Sequence, residues 1–408
     1  MNEPEWSAVP IGIDAKRWTT RGSRRTVLVV VHTVVSGQRL LDIVGLIESD
    51  PRVQVVYTRG PDIFHGGVEE FLRSIGALEI PWQQAVREQF DLAIAAAYGG
   101  LAQLHAPIMV LPHGAGYAKQ TPQGDGNGPT TGRAVYGLGT EHLVRDGRVV
   151  PSSIVLSHFA QREVLARQCP PAADVALVAG DPCYDRLRAS LELRDSCRDA
   201  IGIQPGQRLV VIASTWGPHS LLARSMRLIS ALIDELPRNR YRAAALFHPA
   251  VWFGHGIRQV RSWFTDQRAA GLIVAGPDVD WRSVLIAADY VVGDHGSVST
   301  YAAAIGKPVL QASFPSEEID ETSAQAYVGS VAYRLSRSRR IEPQLRDAAS
   351  TWQVRPEDVA ERLTSCPGQA HRLLREEMYR LLALSVPGRH RAVEPVELPT
   401  FGGDRRYA

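Results

Sequence analysis

Asp289-Tyr-Val-Val-Gly-Asp-His-Gly-Ser-Val-Ser-Thr-Tyr-Ala-Ala-Ala-Ile-Gly-Lys-Pro-Val-Leu310 reads as a strand, a polar turn, a helix and a second strand. Tyr290, Val291 and Val292 make a short apolar run that Asp294, His295, Gly296 and Ser297 break. Residues 299–305 then have helical character closed by Gly306, and Pro308 opens the next apolar run. A turn of this kind sets the unpaired N–H groups of a helix N-terminus beside the hydroxyls of Ser297, Ser299 and Thr300, while Gly296 lets a ligand approach the backbone. It predicts a seat for phosphate. Attraction of an anion to the helix dipole is worth about 0.3–1 kcal/mol when exposed and about 2 kcal/mol when partly buried, so hydroxyl and imidazole donors must add to it. An ordinary strand-to-helix turn with an N-cap serine would show the same residues.

Working outward, the same alternation fills both halves of the chain. Apolar runs at 209–214, 242–247 and 272–275 alternate with helical patterns at 220–236, 257–270 and 281–288. Earlier, strands are expected at 26–31 (ending in His32 and Thr33), 53–58, 78–81, 91–97, 107–111, 154–157 and 175–179, with helices at 38–48, 67–75, 83–89 and 159–168. Continuous apolar strands between amphipathic helices mean parallel sheets covered on both faces. The expected fold is therefore α/β, with two facing Rossmann-like domains, a central interdomain cleft and C-terminal helices. The boundaries read as an N-terminal tail at 1–25, a first domain at 26–186, a second at 187–335 that opens with a helix over 187–201, and helices with a loose tail at 336–408. No GxGxxG follows the first strand, and Gly99-Gly100 is too short for a dinucleotide fingerprint. Residues 114–139 are glycine-rich and read as a long mobile loop, functional or disordered; Asp146-Gly147 reads as a hairpin turn.

The totals bound the function. A chain of 408 residues exceeds what one core serves. Apolar residues make 45% and charged residues 22%, an ordinary soluble composition. The net charge of +2, with Lys16, Lys119 and Lys307 as the only lysines, argues against a nucleic-acid partner. The four cysteines show neither CxxC spacing nor a disulfide pattern, which points to a reducing cytoplasm. No apolar run is long enough to span a bilayer; the Arg-rich segment 334–340 is where peripheral contact with the inner membrane face would occur. Asp278-Val279-Asp280 imitates a metal-binding DxD but lies before a helix, so Asp280 reads as an N-cap and no metal or other cofactor is expected.

Polar residues stop the apolar strands at Pro112-His113-Gly114, Gly180-Asp181-Pro182, Ser214-Thr215-Trp216-Gly217, His248-Pro249 and Asp294-His295-Gly296-Ser297. Carboxyl ends of strands are where open α/β sheets bind ligands. In order and character these blocks resemble the CDP-glycerol glycerophosphotransferases, the teichoic-acid polymerases and primases, over roughly residues 107–312. The similar blocks are His113-Gly114 with Lys119, Ser157 followed by Gly180-Asp181-Pro182-Cys183-Tyr184-Asp185-Arg186-Leu187, Ser214-Thr215-Trp216, His248-Pro249, and Asp294 to Val298 with Lys307-Pro308-Val309. His295-Gly296 stands where the family has Tyr-Ser, and Gly217 where it has Arg. The resemblance implies a GT-B fold and transfer of a glycosyl or polyol-phosphate group, in cell-envelope or secondary glycan synthesis. The donor would be a nucleotide-diphospho compound and the acceptor a hydroxyl. It implies His113 and His248 as catalytic residues. Thr215, Trp216, His248, Asp294, His295, Gly296, Ser297 and Ser299 would hold the donor, with His32, Gly114 and Lys119 on the acceptor side. Two other readings stay open: a nonhydrolysing nucleotide-sugar epimerase, and a non-catalytic nucleotide- or glycan-binding relative.

Overall fold

A computed structural model describes residues 6–11, 25–121, 133–388 and 393–401. Lys16, most of the expected N-terminal tail, the middle of the glycine-rich segment and parts of the C-terminal tail lie outside the described residues. The chain separates into two compact units, Met1–Cys183 with Thr364–Ala392, and Tyr184–Leu363 with Val393–Ala408.

The first unit is built on six parallel strands: β1 (Arg25–Val31), β2 (Val53–Arg59), β3 (Leu92–Ala95), β4 (Ile108–Val110), β7 (Ser153–Leu156) and β8 (Ala176–Val178), ordered 2-1-3-4-7-8. β5 (Val144–Arg145) and β6 (Arg148–Val149) form the antiparallel hairpin expected at Asp146-Gly147, where both residues have positive φ (51° and 73°), as a type I′ turn requires. β1 is central and buried on both faces, which is why its valines run unbroken instead of alternating. The helices are α1 (Val34–Glu48), α2 (Val68–Ser74), α3 (Trp82–Ala85), α4 (Thr140–Leu143), α5 (Phe159–Gln168) and, returning from the far end of the chain, α17 (Ala370–Leu381). α1 starts at a capping box in which the Thr33 hydroxyl accepts from the Ser36 amide and the Ser36 hydroxyl accepts from the Thr33 amide. The expected strand at 78–81 amounts to one parallel bridge from Glu79 to Tyr57, since Pro81 has no N–H with which to continue the ladder.

The second unit repeats the plan with β9 (Arg208–Ser214), β10 (Tyr241–Phe247), β11 (Ile273–Ala275), β12 (Tyr290–Gly293), β13 (Val309–Gln311) and β14 (Tyr333–Arg334), ordered 11-10-9-12-13-14 and all parallel. α6 (Pro182–Ala189) carries the chain into it, followed by α7 (Arg194–Ile201). Between strands come α8 (Leu221–Glu235), α9 (Pro249–His255), α10 (Ile257–Trp263), α11 (Thr265–Ala269), α12 (Trp281–Ala287), α13 (Ser297–Ala304) and α14 (Ala324–Val331), with α15 (Ile341–Thr351) and α16 (Pro356–Leu363) last. The single helix expected over 187–201 is broken at Ser190. Its hydroxyl donates to the Arg186 carbonyl at 2.7 Å and accepts from the Val396 amide at 2.9 Å, a tertiary contact that competes with helix continuation. The helix expected over 257–270 is likewise two, because Phe264 turns into the core and stacks on Phe247 with ring centroids 5.0 Å apart.

Candidate functional site

In the second unit the strand order reverses between β9 and β12, and connections leaving two such strands part in opposite directions, opening a crevice at their carboxyl ends. Asp294, which follows β12 and is 1% exposed, reaches across this point. Its carboxylate accepts from the amides of Thr215 (3.0 Å), Leu221 (2.7 Å) and Gly296 (2.9 Å) and from the Ser214 hydroxyl (3.3 Å). Burial pushes this carboxyl above its ordinary pKa, opposed by those four donors. One side chain thus fixes the loop after β9, the start of α8 and the turn before α13.

α13 begins at Ser297 behind Gly296, which provides no side-chain cap, so its first turn presents backbone N–H groups at the crevice. A Cβ on Gly296 would lie 3.1 Å from the Thr215 Cβ, so a larger residue would crowd the two loops. The Ser299 and Thr300 hydroxyls are buried and have no hydrogen-bond partner among the described residues. The His295 ring is buried, and its carbonyl accepts from the Gln325 side chain of α14. His248 follows β10 and caps α9 through Nδ1, which accepts from the Ala250 amide at 3.1 Å; the neutral ring's proton therefore sits on Nε2, as a donor. Its own amide donates to the Ser214 carbonyl at 3.0 Å, joining the ends of β10 and β9. The Trp216 ring, 36% exposed, lies 6.4 Å from the His248 ring. Thr215, Trp216, His248, Asp294, Gly296 and Ser297 therefore gather at one edge of one sheet. Asp280 is the N-cap of α12, its carboxylate accepting from the Arg282 amide at 3.0 Å.

In the first unit the reversal falls between β1 and β3. His32 follows β1 and is fully buried; its Nε2 donates to the Gly99 carbonyl at 2.7 Å. His113 follows β4, and its Nδ1 donates to the Ala96 carbonyl at 2.8 Å, leaving Nε2 as the ring's proton acceptor. His113 is exposed by surface area, yet the protein massed around it withdraws enough water to hold its pKa below the ordinary histidine value. The charges of Lys119 and Arg39 act in the same direction, while the Ala96 bond and Asp62 oppose them. Lys119 is exposed, and its carbonyl accepts from the Tyr136 amide at 2.8 Å; together with the Gln120–Val135 bridge this pairs the two described ends of the glycine-rich segment.

Several residues of these sites escape a sequence reading. Arg39, buried in α1, donates to the Gly114 carbonyl at 2.8 Å and to Asp181 at 3.2 Å. It thereby ties the His113-Gly114 turn to the end of β8. The one hint was a charge on the helix's apolar face. His158 caps α5 through Nδ1 as His248 caps α9, accepting from the Ala160 amide at 3.0 Å, and a strand ending in Ser-His was the available signal. Asp62, whose charge acts on both His32 and His113, and Gln325 carried none. In the Arg-rich segment, Arg334 donates to the Gly329 carbonyl at 2.8 Å, Arg337 to the Ser225 hydroxyl at 2.5 Å, and Arg339 to Asp347 at 2.9 Å, all inside the unit. Among the described residues no helix is long and apolar enough to cross a membrane.

No family model matches the sequence, and no curated protein matches it. Solved structures do match. The chain is similar to the wall teichoic acid polymerase TagF at TM-score 0.59 and 11% identity, over 89% of this chain and 90% of that one. An H444N form of TagF soaked with CDPG gives TM-score 0.59 and 12% identity, over 88% and 89%. The UDP-GlcNAc 2-epimerase from Methanocaldococcus jannaschii gives TM-score 0.53 and 10% identity, over 87% and 99%. The likeness establishes the fold: two Rossmann-like units of the GT-B type.

Proposed function

We propose that the chain is a transferase that moves a glycosyl or polyol-phosphate group from a nucleotide-diphospho donor to a hydroxyl acceptor. The observation that carries the reading is the donor set at the switch point of the second unit. The first-turn amides of α13, the Thr215 and Ser297 hydroxyls and the Nε2 proton of His248 belong to one sheet edge, and the nearby carboxylate of Asp294 is already engaged by backbone amides. Such an array suits a pyrophosphate, and the half-exposed Trp216 offers a flat apolar face beside it. Nucleotide-activated compounds are also what TagF was soaked with and what the epimerase's name gives.

In this reading His113 Nε2 takes the proton of the acceptor hydroxyl. The oxygen then attacks phosphorus or the anomeric carbon, and the bond to the nucleotide breaks with its electron pair on the departing phosphate. Fixed donors, His248 among them, meet that charge without a metal. Gly114 and Lys119 shape the acceptor side, the fully buried His32 acts on it only through the loop it holds, and the product would enter cell-envelope or related glycan synthesis.

Titration calorimetry with CDP, UDP and GDP, followed by turnover assays with CDP-glycerol and UDP-glucose, tests the reading. Binding of one nucleotide and release of its mono- or diphosphate in the presence of a polyol acceptor are expected. Binding without turnover would leave a non-catalytic nucleotide binder, inversion at the sugar C2 would leave an epimerase, and no binding at all would remove the proposal.

A further inference from the structure

The loop after β3 is held by two histidines. His113 Nδ1 donates to the carbonyl of Ala96, the first residue after the strand, and His32 Nε2 donates to the carbonyl of Gly99 three residues on. The chain leaves little room at the Gly99 end. A Cβ on Gly99 would collide with the Pro61 carbonyl, one on Gly60 would lie 2.6 Å from His32 Cδ2, and one on Gly100, at φ 72°, would lie 2.5 Å from the Trp82 ring. The close approach of two backbones to one flat ring requires glycine at 60 and 99. On its other side the turn carries Tyr98, whose hydroxyl donates to the Tyr117 hydroxyl at 3.1 Å. The peptides between Ala96 and Gly99 are trans, so the two anchored carbonyls are three residues apart, and one of those residues is Tyr98 with its tethered hydroxyl.

We infer that His32 is a positioning residue for His113: by fixing the Gly99 carbonyl it sets where the Ala96 carbonyl points, and with it the tautomer and orientation of the His113 ring. The inference rests on the proposed role of His113 as a general base. A base must present Nε2 unprotonated toward the acceptor, and it does so only while Nδ1–H is held by Ala96. His32, fully buried, is itself kept neutral: burial holds its pKa low against the Gly99 and Val30 carbonyls and the charge of Asp62. Its part is a fixed donor, with no proton exchanged. Around His113 the charged groups are Lys119, Arg39 and Asp62, and none lies on the Ala96–Gly99 turn.

Three substitutions at one position separate positioning from bulk. His32→Leu removes the donor, His32→Asn keeps an amide too short to reach Gly99, and His32→Gln restores an N–H near the place of Nε2. The decisive readout is the 15N spectrum of the His113 ring in the full chain, assigned with His113→Gln, because it needs no turnover. Wild type and His32→Gln should show one Nδ1–H tautomer, and His32→Leu and His32→Asn a mixture. With CDP-glycerol or UDP-glucose as donor, kcat should fall about 10–100-fold in Leu and Asn and recover in Gln, with the KM for donor unchanged. An unmixed Nδ1–H tautomer in a folded His32→Asn or His32→Leu protein overturns the positioning role. If neither variant folds, a mixed tautomer in His32→Gln despite its restored donor does the same. Unaltered turnover in His113→Ala would instead remove the base assignment and leave the ring spectrum standing as its own result.

Discussion

A single imidazole can serve as base or as donor, and in the proposed reaction the hydrogen bond at Nδ1 separates the two. His113 gives its Nδ1 proton to a carbonyl and keeps a lone pair on Nε2, whereas His248 spends its Nδ1 lone pair on an amide and keeps a proton on Nε2. His113→Ala should therefore lower turnover about 10²–10⁴-fold, the usual worth of a general base, with circular dichroism and melting temperature unchanged. Because the His113 pKa is lowered, the ring stays neutral at pH 7 and activity should fall only as pH drops through a value below the ordinary 6.5. An acid limb centred above 6.5 in a pH–rate profile would contradict this. Asp294 works differently, as an acceptor for three backbone amides and a hydroxyl. Asp294→Ala would strand buried donors at about 1–3 kcal/mol each. A drop of roughly 10 °C or more in melting temperature and loss of nucleotide binding in calorimetry at a temperature where the variant is folded are expected together; retained binding would mean that the crevice does not depend on this carboxylate.

Helix C-termini leave carbonyls that attract basic side chains. The last carbonyls of α12 receive three basic side chains: Arg194 donates to Ile286 at 3.0 Å and to Ala288 at 2.7 Å, Arg198 to Ala287 at 2.9 Å, and Lys307 to Ile286 at 3.0 Å. Asp289 balances the two arginines, each at 2.8 Å. Burial and the Arg194 charge pull the Lys307 pKa down to about 7, with Asp289 opposing and Arg198 adding to the shift. The unfolded lysine holds its proton up to about 10.4, so between roughly 7 and 10 the unfolded chain binds more protons and stability rises with pH, by at most about 1.4 kcal/mol per unit. Urea midpoints at pH 7.5 and 9.5 should differ for wild type and converge in Lys307→Met; equal slopes in both proteins would refute the assignment. Much of this level was legible in the sequence. Strands buried on both faces are continuous apolar runs, and Asp280 stood one residue before its helix, where an N-cap must stand. What stayed hidden depends on distant partners. Ser190 breaks a helix by bonding Val396, Arg39 meets Asp181 142 positions away, and Gln325 finds His295 across 30. No local pattern encodes such pairs.

For the whole chain the informative feature is that the first unit is discontinuous. Residues 336–408 read from the sequence as helices with a loose tail, yet α15 and α16 belong to the second unit and α17 to the first. An apolar stripe tells that a helix is covered, not which sheet's helices cover it. α17 packs on α1, buries Leu374 and Met378 completely, and its Tyr379 hydroxyl donates to Asp50 at 2.7 Å. Met378→Ala should cost about 2–5 kcal/mol, as a buried methionine truncated to alanine does, and that loss should fall on one unit. Hydrogen exchange would report it as faster exchange at β1, β3 and α1, with β9, β10 and β12 unchanged. A nucleotide bound at the second unit's crevice should act in the opposite place. At 100 times its dissociation constant it adds about 2.7 kcal/mol to the state that binds it, protecting the amides around Thr215, Ala250 and Ser297 while leaving the Met378→Ala lesion uncorrected. Rescue of α1 exchange by nucleotide would show that the two units unfold as one.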